Sequence, residues 1–131
     1  MARLTKADLA QFTGDAEVYR HPRNPFVLLT QGVRYLADTG AAWWLTDAIA
    51  SYFGSPVMLE AIRDDPLVET FQCWTLHVHQ DRSAVLTARV DSGGPPFITQ
   101  RIPWTDFPLD AIDIWAGRDN QYWTLYLPSE H

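Results

Sequence analysis

"TFQCWTLHVHQ", Thr70 to Gln80, is the stretch on which the fold turns. Its β-branched and aromatic content and its alternation read as one long strand, with Gln72, Trp74, Leu76 and Val78 on one face and Phe71, Cys73, Thr75, His77 and His79 on the other. A strand with one apolar face needs an apolar layer to cover it. "GAAWWLTDAIASYF", Gly40 to Phe53, supplies one as a helix: at about 100° per residue, Ala41, Leu45, Ala48, Ile49 and Tyr52 share a side. That stripe fits the Trp74, Leu76 and Val78 face, and its burial contributes on the order of 2 kcal/mol per large side chain. Trp44 falls on the flank of this helix and Trp43 falls opposite, beside Asp47 and Ala50. An indole on the polar side of a helix marks Trp43 as a candidate contact with another molecule.

Working outward, "LTKADLAQFTG" (Leu4 to Gly14) encodes a short helix from Lys6 to Phe12 or Thr13. Thr5 and Asp8 form a capping box, Leu4 and Leu9 take the staple positions, and Gly14 supplies the stop. "EVYR" (Glu17 to Arg20) reads as a strand closed by His21-Pro22 and Asn24-Pro25. Phe26 to Thr30 and Val33 to Leu36 read as two strands of a hairpin turning at Gln31-Gly32. Gly54 ends the central helix, and Ser55-Pro56 opens another over Val57 to Arg63. Beyond the long strand, "AVLTARV" and "FITQRIP" read as strands on either side of the "DSGGPP" loop. "WTDFPLD" interrupts, and "AIDIW" and "QYWTLYL" bracket Gly117 to Asn120 as a last hairpin. The expectation is a single α+β domain, an antiparallel sheet of about five to seven strands with two or three helices mainly on one face.

The 131 residues contain six Trp, five Tyr and six Phe, too apolar a composition for a disordered chain. Cys73 is the only cysteine, which excludes an intrachain disulfide and fits a reducing compartment. No basic-then-apolar leader opens the sequence and no apolar run approaches the ~18 residues of a membrane span, so the expected location is the cytoplasm. The net charge of −6 is lopsided: up to Phe53 acids and bases balance, and beyond it five arginines face eleven acids. That sign disfavours direct nucleic-acid binding and suits a partner with a basic surface.

Motifs for catalysis are sparse. His77 and His79 form an H-x-H pair on one strand face, about 7 Å apart, the spacing of two metal ligands that still lack a third. With Cys73 on the same face they make the alternative reading, a small enzyme or metal-binding domain. Cys73 also reads as a small packed hydrophobe, and the histidines as solvated. Asp106, Asp110 and Asp113 invite an acid/base reading, while Asp106 before Phe107-Pro108 fits a local turn and Asp110 a cap. No G-x-S-x-G elbow or phosphate loop is present, and no cofactor is implied.

The strongest signal is aromatic. Trp43, Trp104, Trp115 and Tyr122 stand out as anchors, with Asp106, Asp110 and Asp113 as complementary charges for an Arg-rich partner. A homodimer whose aromatics face each other is the other outcome of the same pattern. "LTKADLAQFTG", "GVRYLADTGAAWWLTDAIASY", "FQCWTLHV", "IPWTDFPLDAIDIW" and "LYLPSEH" together resemble a family of small uncharacterised proteins carried by plasmids, phages and other mobile elements. The resemblance implies no activity and no catalytic residues. It implies a stoichiometric inhibitor of host machinery, anti-CRISPR-like or otherwise anti-defence, whose target presents a positively charged channel.

Overall fold

A computed structural model describes residues 4–13, 17–91 and 93–131. Helix α1 (Lys6–Ala10) starts on the expected capping box: Thr5 accepts from the Asp8 N–H, and the Asp8 carboxylate accepts from the Thr5 N–H. The stop expected at Gly14 lies outside the described residues. Strands β1 (Val18–Arg20) and β2 (Val27–Thr30) follow and pair antiparallel.

The hairpin expected at Gln31-Gly32 does not form. Residues Gln31–Thr39 are helix α2 instead, capped by the Thr30 hydroxyl, which accepts from the Val33 N–H. Val33, Leu36 and Ala37 are its buried side, a spacing of three and four that belongs to a helix. Helix α3 spans Trp43–Tyr52; Gly40 therefore closes α2 rather than opening α3, and Ala41 bridges the two at φ 49°. Gly54 turns the chain at φ 87°, and α4 (Pro56–Asp64) begins on the Ser55 cap with Pro56 in its first turn. A 3-10 turn at Pro66–Glu69 leads to the sheet.

The long strand is β3 (Phe71–Val78), followed by β4 (Ala84–Arg89), β5 (Ile98–Ile102), β6 (Ala111–Asp119) and β7 (Tyr122–Tyr126). The last hairpin turns at Asn120-Gln121, with Asn120 at φ 57°, three residues later than expected from Gly117. The sheet has seven strands in the order β1-β2-β7-β6-β3-β4-β5 and is mixed, because β2 runs parallel to β7 while every other pair is antiparallel. The domain is α+β, with four helices among the described residues where two or three were expected.

Helices pack on the face carrying Gln72, Trp74 and Leu76. Tyr52 and Phe53 set their rings 5.5 and 6.3 Å from Trp74, and Phe53 lies 4.7 Å from Trp123. Gln72 is fully buried and satisfied: its amide donates to the Val68 carbonyl and to the Met58 sulfur, and its oxygen accepts from the Trp74 indole. The opposite face is left largely to solvent, with His77, Thr99, Arg101 and Asp113 exposed on it. Among the described residues no helix is long and apolar enough to cross a membrane.

Candidate functional site

Four places hold the residues that the sequence singled out. Trp43, expected as an open anchor, is half-buried against the core, and its indole donates to Asp38 at 2.8 Å, clasping α3 to α2. The side of α3 that reads as polar is in fact a second packing face. Ala50 on it is buried, Asn24 donates to the Ala50 carbonyl, and His21 meets Asp47 at 2.8 Å. Two backbone N–H groups, of Arg23 and Asn24, point at Nδ1 of buried His21, so Nδ1 accepts and Nε2 donates to Asp47. Trp43 thus packs against the fold rather than standing free of it.

Tyr122 opens β7 on the exposed face, 6.4 Å from Phe26, with the Arg20 guanidinium 5.8 Å from its ring. Its cation is already supplied from within the chain. Trp115 and Asp113 share the middle of the same face. Trp115 is half-buried in an edge-to-face cluster with Phe71, Tyr126 and His131, at 5.6, 6.1 and 5.4 Å, and Asp113 accepts from Thr75.

The loop from Pro103 to Asp110 brings the remaining three together. Trp104 is 64% exposed, the most open of the large apolar side chains among the described residues, and Asp106 and Asp110 are exposed on either side of buried Phe107. Sequence reading missed what holds this loop. Arg82 reaches across from the β3–β4 turn, its guanidinium donating to the carbonyls of Thr105 and Phe107 at 3.0 and 2.6 Å. Its own carbonyl accepts from the Thr105 N–H, and the Thr105 hydroxyl accepts from the Phe107 N–H. Phe107, with no exposed surface, plugs the loop into the core. The one signal for this in the sequence is an apolar Phe-Pro inside an otherwise polar interruption. Beside Arg82, hydrogen bonds from the hydroxyl and backbone N–H of Ser83 hold the Asp81 carboxyl below the usual carboxylate range. The backbone beside Trp104 is thus tied down, and the loop that carries the indole also carries Asp106 and Asp110.

The residues of the alternative reading lie on the open sheet face, where Cys73 and His77 line one groove with Asp113 and Arg89. His77 and His79 are exposed, and among the described residues no three His, Cys, Asp or Glu side chains stand close enough to hold a metal. Cys73 is buried between Arg89 and Trp115 in the register. Burial, then the negative charge of Asp113 and Asp91, pushes its thiol pKa up against a weaker pull from Arg89. A raised thiol pKa leaves the reactive thiolate scarce at neutral pH. Alkylation of the native protein by iodoacetamide is therefore expected to rise only at a pH above that of a free thiol, and unfolding in guanidinium to restore the ordinary profile. An ordinary profile in the folded chain would contradict this placement.

The fold defines the class, a mostly antiparallel α+β domain. The chain belongs to a family of unknown function, DUF6876, whose profile matches residues 3–131. No curated protein and no solved structure matches it.

Proposed function

We propose that this protein is a binding protein rather than an enzyme, and that Trp104 is the anchor by which it captures a partner with a basic surface. The observation that supports this most is the exposure of Trp104 on a loop whose backbone is tied down by Arg82. Large aromatic anchors dominate binding energy, and a loop backbone held in place before binding loses little entropy on docking. Exposed Asp106 and Asp110 on the same loop outnumber the one exposed cation beside it in the chain, Arg101, and a negative balance speeds encounter with a cationic surface. The resemblance to mobile-element proteins adds the finer reading, a stoichiometric inhibitor of host machinery such as a defence nuclease complex.

Immobilised wild-type and Trp104→Ala proteins, exposed to lysate of the native host, test it. The wild type is expected to retain a basic protein or nucleoprotein that the variant loses, a drop in affinity of about thirtyfold for a hot-spot tryptophan. The melting temperature of the variant is expected to stay within about 2 °C of wild type, since the side chain leaves a surface position. Equal capture by both proteins, or an acidic partner, overturns the reading.

A further inference from the structure

Strand β5 is hydrogen-bonded on one side only. It pairs with β4 from Ala88↔Ile98 to Ala84↔Ile102 and ends the sheet, so its outer edge presents backbone donors and acceptors with no strand beside them. Edges are usually blunted by charged side chains, proline or a bulge; Ile98–Ile102 contain no proline and one charge, Arg101, which lies on the open sheet face with Thr99. The strand is also rigid, because Gln100 accepts from the Tyr52 hydroxyl at 2.7 Å and Ile98 is buried.

Each end of this edge carries an apolar feature with acids around it. At its start a groove of about 380 Å³ opens between α4 and the loop before β5, with Val57, Val68 and Phe97 in its floor. Glu60, Asp64 and Asp65 line it too, and no lysine or arginine does. At its end stand Trp104 and Asp106. From Phe97 to Trp104 an extended chain covers about 23 Å.

We propose that an extended, basic segment of a partner protein adds to the sheet along the free edge of β5, seating an apolar side chain in the groove at its start. A second copy of this chain fits the edge less well. Antiparallel pairing about Gln100 would bring one cation of the other copy, Arg101, toward Glu60, Asp64 and Asp65, with Asp106 beside it, so a second copy offers weak charge complementarity. A strand with several cations meets complementary charge at the groove end. Strand addition draws affinity from main-chain hydrogen bonds and specificity from the side-chain pockets. The inference rests on the Trp104 reading for its far end only.

The test titrates the full ¹⁵N-labelled chain with a synthetic peptide of about eight residues alternating arginine and valine, long enough to span the edge. Hydrogen exchange at β5 amides is expected to slow, and the amides of Val57, Val68 and Phe97 to shift. Methylating alternate backbone nitrogens of the peptide, and separately Glu60→Lys with Asp64→Lys in the protein, are each expected to weaken binding about tenfold or more. The inference fails if the methylated peptide or a glutamate-valine peptide binds equally well. It fails also if protection maps to the open sheet face, or if the protein alone is a dimer with β5 already protected. Trp104→Ala separates the two readings. Peptide binding that survives this change but not methylation supports the edge and overturns Trp104 as the anchor. Loss of lysate capture in Trp104→Ala, with β5 exchange untouched by peptide, does the reverse.

Discussion

Replacing Trp74 by alanine is expected to destabilise the domain by about 3 to 5 kcal/mol, the range for deleting a buried tryptophan ring. Domains of this size hold only about 5 to 15 kcal/mol in all, so the melting temperature should fall by on the order of 10 to 20 °C. Trp74 is 1% exposed and sits where the sheet meets the helices, against the rings of Tyr52 and Phe53. Its loss would open a cavity under the joint of α3 and α4. It would also leave the buried Gln72 oxygen without the indole N–H from which it accepts. Trp74→Phe separates the two effects: it keeps most of the ring volume and forfeits the hydrogen bond, which predicts a cost of about 1 to 3 kcal/mol. Urea unfolding followed by circular dichroism checks both values. An alanine variant within 1 kcal/mol of wild type would mean that Trp74 does not lie at the centre of the core.

The reading of β3 succeeded because both of its signals are local. Alternation assigns Trp74 and Leu76 to one face whatever they pack against, and the Thr5–Asp8 box and the Ser55-Pro56 start close within one turn of chain. The errors came where the deciding partner is distant. Val33 and Tyr35 are β-prone, and Gln31-Gly32 resembles a turn, yet α2 forms because its buried side packs on the sheet and its N-terminus is completed from the other end of the chain. The parallel pairing of β2 with β7 joins segments almost a hundred residues apart and leaves no mark in either.

Trp43 shows the same effect at the site. Helical geometry placed it correctly opposite Leu45, but no periodicity could reveal that the His21 to Asn24 segment folds over Asp47 and Ala50 and makes that side interior as well. Trp104, by contrast, stood out from its setting, an indole in a Pro-broken polar stretch. What the sequence did not disclose is Arg82, whose hydrogen bonds turn that stretch into a fixed platform.

The distant completion of α2 yields the second large effect. The Glu130 carboxylate accepts from the Thr30 hydroxyl at 2.6 Å, the Leu127 N–H at 2.9 Å and the Gly32 N–H at 3.2 Å. It thereby ties the C-terminal segment to β2 and places negative charge at the N-terminus of α2, where the helix dipole favours it. Glu130→Ala removes all three bonds at once and is expected to cost about 2 to 3 kcal/mol, because the donors left behind are partly buried. Gly32 is the other half of this latch. A Cβ there would lie 2.7 Å from the Glu130 carboxylate and 2.8 Å from Leu127, so Gly32→Ala must displace the latch and should cost about 1 to 3 kcal/mol. Since both changes disrupt one contact, the double variant Gly32→Ala with Glu130→Ala should cost less than the sum of the two by about 1 kcal/mol. Chemical denaturation of the four proteins closes the cycle. Strict additivity would show that Gly32 and Glu130 act separately, and that α2 owes its start to the Thr30 cap alone.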